Sequence, residues 1–115
     1  MIVPEVSPAP LKPAQVARLE GLLKAGFQFV AFEQFARYPA VEKDGFVALL
    51  DISGETVRQF GSVGYHMGSG IGILVERSGA KVFLWKNESV EATPELLATY
   101  HQVKRDLDEL LADRA

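Results

Sequence analysis

The chain contains no cysteine among its 115 residues. Disulfide bonds, zinc–thiolate sites, iron–sulfur ligation and cysteine nucleophiles are therefore excluded. A chain without cysteine fits a reducing compartment. No apolar run reaches the roughly 20 residues that cross a bilayer, and the first residues lack the basic and apolar stretches of a signal peptide. We therefore expect a cytoplasmic protein with no membrane contact.

Positive charge is scarce and scattered. Twelve Lys and Arg residues stand against fifteen Asp and Glu residues, and Lys104 and Arg105 are the only adjacent basic pair. Because nucleic-acid binding needs clustered basic residues that neutralise phosphates, we expect no nucleic-acid partner. The two histidines, His66 and His101, lie on different predicted elements without carboxylates at a recognised ligand spacing. We therefore expect no metal and no other cofactor.

Recognised catalytic and phosphate-binding motifs are also missing. The glycine-rich sequence at 68–72 runs into an apolar stretch typical of a strand, and the next lysine is Lys81. A phosphate-binding loop would instead open a helix and carry a lysine directly after its glycines. Ser69 lacks the G-x-S-x-G spacing of a nucleophile elbow. These absences favour a role that is not enzymatic.

What the chain does contain indicates one globular domain. Hydrophobic residues make up 48% of the composition and charged residues 23%, which is ordinary for a folded protein. The length predicts a single domain over residues 1–115. Residues 1–12 are rich in proline and are predicted to form an extended leader. From Pro13, apolar residues at helical spacing predict an N-terminal helix over about 13–25, which Gly26 ends.

The middle of the chain predicts strands joined by short turns. Strand-like runs occur at about 46–52, 56–60, 71–76 and 81–86. Residues 27–38 fit either a strand or a helix, and we favour a strand to about residue 33 followed by a turn or short helix. Thr93 and Pro94 signal a longer C-terminal helix to about residue 112. The predicted class is α+β: an antiparallel meander of four to five strands with a helix at each end.

The predicted strands at 46–50, 71–75 and 82–85 carry apolar residues on both faces, whereas a sheet with one wet face alternates. The two helices either cover one face each or lie together on one face. Short turns favour the second arrangement, which leaves an apolar face for a partner. We therefore expect a homodimer through the open face or edge of the sheet. The predicted function is a small cytosolic accessory or protein-interaction domain that self-associates.

Five glycines fall within residues 61–72. If this segment is extended throughout, Gly64, Gly68, Gly70 and Gly72 share a face with His66, and that face is almost bare backbone. Such a face permits close approach of another part of the protein or of a ligand.

The alternative function is therefore a small-molecule binding domain or enzyme that uses residues 61–72. His66 is its best candidate for acid–base chemistry because imidazole titrates near neutral pH. The predicted ligand-binding residues are Tyr65, His66, Gly68, Ser69 and Gly70.

Overall fold

The computed structural model describes residues 11–112. It contains a seven-stranded antiparallel sheet whose strands lie in chain order, with one helix before and one after it. The elements are α1 (Pro13–Lys24), β1 (Gln28–Val30), β2 (Ala40–Lys43), β3 (Phe46–Asp51), β4 (Arg58–Met67), β5 (Gly70–Arg77), β6 (Ala80–Trp85), β7 (Glu88–Glu91) and α2 (Pro94–Leu110). The α+β class, the antiparallel meander and both terminal helices are confirmed. All but the last two residues of the predicted leader lie outside the described residues.

The predicted count of four to five strands was wrong, because short strands with few apolar residues were missed. β2 and β7 have four residues each, and β7 contains one apolar residue, Val90. Val90 pairs with Phe83 of β6, so tertiary pairing makes a strand of a segment with weak strand propensity. The predicted strand at 56–60 and the first glycines after it form one continuous strand, β4. β1 ends at Val30, three residues earlier than expected, and a single 3₁₀ turn, Glu33–Phe35, follows it.

Both helices lie on the same face of the sheet, here called the helix face. Leu22 of α1 and Val103 and Leu107 of α2 belong to one buried cluster with Phe46 and Leu50 of β3. The shortest dimension of the molecule is 20 Å, which matches one helix layer on one sheet layer. The N-terminus of α2 follows the predicted capping, since Leu96 N donates a hydrogen bond to the Thr93 hydroxyl at 3.1 Å. Within residues 11–112, neither helix is long and apolar enough to span a membrane.

A buried amide attaches α1 to the loop between β3 and β4. Gln15 is 3% exposed, and its Nε2 donates hydrogen bonds to the carbonyls of Ile52 at 2.8 Å and Gly54 at 3.0 Å. Its Oε1 accepts from Lys12 N at 2.9 Å. The polar group is therefore satisfied, and burial of Gln15 orders the loop instead of costing stability.

The opposite face, here called the open face, is covered in part by the chain itself. Residues 31–39, here called the strap, cross it beside β2 and β3. Phe32 of the strap is buried in a second cluster with Val47 and Leu49 of β3. Tyr38 of the strap stacks on Phe60 of β4 with 4.2 Å between ring centroids. The strap therefore takes the place of a helix layer over the first half of the open face.

An ion pair joins α2 to β2 and gives the fold a pH dependence. Gln102 donates a hydrogen bond to one oxygen of Asp106, and Lys43 Nζ donates to the other at 3.1 Å; these bonds hold the pKa of Asp106 below its ordinary value. The ionised carboxylate therefore stabilises the folded state above its unfolded pKa of about 3.9, and this contribution disappears as the pH falls through the lower, folded pKa.

We expect Asp106→Asn to lower the free energy of unfolding at pH 7 by less than about 1 kcal/mol, because the pair is partly exposed. The difference from the parent should shrink as the pH falls through the lowered pKa of Asp106, because the protonated carboxyl is as neutral as the amide. Urea denaturation at pH 7, 5, 3 and 2 measures it, with the exposed Asp108→Asn as the control. A difference that stays constant across this range would contradict the assignment.

Candidate functional site

The glycine-rich segment is a hairpin and not one extended strand. β4 ends at Met67, and β5 begins at Gly70, its pairing partner; Gly68, with φ +56°, and Ser69 form the turn. After this turn, even-numbered residues lie on the face that odd-numbered residues occupy in β4. Gly70 and Gly72 therefore lie on the helix face, and Ile71 lies on the open face beside His66. The predicted face of four glycines with His66 was therefore wrong.

Three of these glycines are close to side chains of the domain itself. A Cβ on Gly70 would overlap the indole of Trp85, and one on Gly72 would overlap the sulfur of Met67. A Cβ on Gly64 would overlap Ile71 and lie 2.7 Å from the Gly72 carbonyl oxygen. The close approach that glycine permits is therefore made here by intramolecular packing, which is the first of the two interpretations of the segment.

The five predicted ligand-binding residues divide between the two faces. Tyr65 lies on the helix face, with its ring centroid 5.2 Å from that of Phe46 and 5.4 Å from that of Phe83. Gly70 lies under Trp85 on the same face. The other three, His66, Gly68 and Ser69, line an open groove of about 600 Å³. Lys86 and the first residues of the strap line the same groove. The structure thus brings three of the five together, and ligand binding by them stays a prediction.

A carboxylate that the sequence analysis did not identify orients His66. Glu42 of β2 places Oε1 3.1 Å from Nδ1 of His66, and both side chains are partly buried. The ring of Phe32 meets the imidazole edge-on at 5.1 Å. A carboxylate at Nδ1 fixes the ring and keeps a proton on that nitrogen, which leaves Nε2 to accept a proton or a hydrogen bond. This pair can orient a polar ligand or move a proton.

The groove contains no further element of a recognised catalytic centre. Among the described residues, no group of three or more His, Cys, Asp or Glu side chains could hold a metal ion. Within the same range, no hydrogen bond joins Ser69 to His66, so a serine nucleophile with its base is not assembled.

A second candidate site lies beside the groove, on the half of the open face beyond the strap. Ile73 of β5 is 56% exposed, and its neighbours on this face are partly buried. Strand register places Ile73 opposite Leu84 and Val75 opposite Val82. We call this set the apolar patch: Ile71, Ile73, Val75, Val82 and Leu84. Its exposure is the kind that soluble proteins usually reserve for contacts with partners.

Comparisons with known proteins add no functional information. No protein-family model matches the chain, and neither the curated proteins nor the solved structures show a significant similarity to it.

The packing of the glycines can be tested by adding one methyl group at a time. We expect Gly70→Ala to destabilise the fold by about 1–3 kcal/mol, because the rigid indole of Trp85 cannot move aside easily. Gly72→Ala should cost less, because the Met67 thioether is flexible. Gly54→Ala is the control, since nothing lies within 4 Å of its added Cβ. Thermal and urea unfolding measure the three variants, and equal stabilities for Gly70→Ala and Gly54→Ala would contradict the packing role.

Proposed function

We propose that the protein is a small cytosolic accessory or interaction domain that self-associates through the open face of its sheet. The observation that carries this proposal is the 56% exposure of Ile73 at the centre of the apolar patch. Both helices lie on the other face, and the strap covers only the half of the open face nearer β2 and β3. A second copy of the chain can cover this half of the open face, because an apolar surface complements itself.

The surface available for such a contact extends beyond the patch. Phe60, which is 43% exposed, pairs with Leu49 and therefore lies on the open face, where it stacks on Tyr38 of the strap. Stable interfaces bury about 800 Å² per partner, and we propose that the contact also includes this aromatic pair or the outer side of the strap. Because the patch residues other than Ile73 are already partly buried, each contributes less than the roughly 1.5–3 kcal/mol of a fully transferred side chain. We therefore propose an affinity in the micromolar range.

The edges of the sheet are poorer surfaces for a second copy than its open face. β7 forms one edge and carries Glu88 and Glu91. Antiparallel pairing of two β7 strands would set these carboxylates against those of the other copy, and like charges across strands are destabilising. β1 forms the other edge and has three residues, Gln28–Val30. Of the two sequence-based alternatives, we therefore propose the face.

Self-association can be tested by placing a charge in the patch. We expect the parent, at tens of micromolar, to show twice the 12.6 kDa mass of one chain by size exclusion with light scattering. Ile73→Asp should be a monomer with a nearly unchanged melting temperature, since the side chain is exposed. Leu23→Asp is the matched control, because Leu23 is 47% exposed on α1. A monomeric parent, or a dimeric Ile73→Asp, would rule out this surface.

A second candidate function is the binding of a small polar molecule in the groove. The observation that favours it is the His66–Glu42 pair at the edge of a groove of about 600 Å³, a volume within the range of ligand sites. Lys86 lines the same groove and can bind an anionic group, and Phe32 provides an aromatic surface. An aromatic carboxylate combines the two features.

Benzoate is a simple probe of this second function. Saturation-transfer NMR should detect benzoate binding to the parent at millimolar concentration, because its carboxylate can contact Lys86 while its ring contacts Phe32 and the imidazole of His66. His66→Ala should reduce the signal severalfold. His101→Ala, on the exposed side of α2, should leave it unchanged. Equal signals from both variants would remove His66 from the site.

A further inference from the structure

Two opposite charges border the Val75–Val82 end of the apolar patch and lie diagonally across the strands from each other. Glu91 of β7 pairs with Val82, which pairs with Val75, so all three share the open face. Arg77 ends β5 two residues beyond Val75 and therefore has the same orientation. At about 3.4 Å per residue and 4.8 Å per strand, the Cα atoms of Arg77 and Glu91 lie about 12 Å apart. Within residues 11–112, no ion pair joins either side chain to another residue, and both are exposed.

This diagonal is self-complementary under a two-fold rotation, which is the commonest symmetry of dimers. When two copies meet face to face, the axis lies in the plane of the interface. An axis that passes between Val75 and Val82, close to Ile73, exchanges the two charged positions and places Val75 of one copy beside Val82 of the other. Each Arg77 then lies over Glu91 of the other copy.

We propose that the second copy packs in this orientation and that two reciprocal Arg77–Glu91 ion pairs set the register of the dimer. The inference rests on the proposed self-association and adds its geometry. On the idealised sheet the axis makes an angle of about 35° with the strands, so the strands of the two copies cross at about 70°. This crossing lies closer to orthogonal than to aligned sheet packing.

The charges also disfavour the simplest alternative orientation. A two-fold axis parallel to the strands and running along β6 would superimpose the two β6 strands. It would place Glu91 of each copy over Val75 of the other. A carboxylate would then lose water against an apolar side chain without gaining a partner. The diagonal axis instead gives each carboxylate a guanidinium and keeps the valines in contact with each other.

Charge reversal tests the orientation. The dissociation constant of the dimer is measured by sedimentation equilibrium for the parent, Arg77→Glu, Glu91→Arg and the double variant. Each single reversal creates two like-charge contacts and should weaken the dimer at least about tenfold. The double variant restores opposite charges and should return to within about threefold of the parent. Glu88→Arg is the matched control, because residue 88 lies on the helix face of the same strand; it should change the dissociation constant little.

The outcomes separate this inference from the proposal on which it rests. If Ile73→Asp is monomeric but the double variant is no tighter than the weaker single one, the copies meet through the patch in another orientation, and the inference fails alone. If the parent is monomeric, or if Ile73→Asp stays dimeric, both fail. Circular dichroism of each variant confirms that the exposed substitutions leave the fold intact.

Discussion

The whole architecture depends on a sheet that is apolar on both faces. β3 spans Phe46–Asp51, and all of its residues except the last are buried. Because neighbouring residues point to opposite faces, this strand requires other parts of the protein to pack on both of its faces. The part of the chain that the structure describes has two α-helices, and both pack on the helix face. The strap covers β3 on the other face and reaches Ile71 at the start of β5, but it leaves Ile73 56% exposed. The apolar patch is therefore exposed because the two helices cover one face of the sheet and the strap covers only part of the other.

The lengths of the connections between strands limit which segments can cover a face of the sheet. Three hairpins have two-residue turns at one end of the sheet: β2–β3, β4–β5 and β6–β7. Positive φ angles between 55° and 87° form these turns at Asp44, Gly45, Gly68 and Lys86. Such turns leave no chain to cover a face. Only the segments at the ends of the meander and the two longer connections can do so. The connection after β1 became the strap, and the one after β3 is attached to α1 by Gln15.

Local signals in the sequence predicted the parts of the fold that depend on local interactions. Both helices start at proline, with Thr93 as the cap of the second, and these features act within one turn of chain. The groove could not be predicted in the same way. Glu42 meets His66 only because β2, β3 and β4 pair in one particular register, which includes a shift between Val47 and Leu49. The glycine pattern also could not reveal that the turn at Gly68 reverses its alternation.

Ile71 of the apolar patch links the patch to the groove, because its pairing partner, His66, lines the groove. This residue pairs with His66 across β4 and β5, and it packs against the cluster beneath the strap. A copy seated on the patch would contact Ile71 and therefore close one side of the space beside the imidazole. Removal of water from that side would strengthen the interaction of His66 with Glu42 and with any polar ligand, since electrostatic interactions weaken in water. Self-association and binding in the groove are therefore expected to influence each other, and each affinity should depend on the occupancy of the other site.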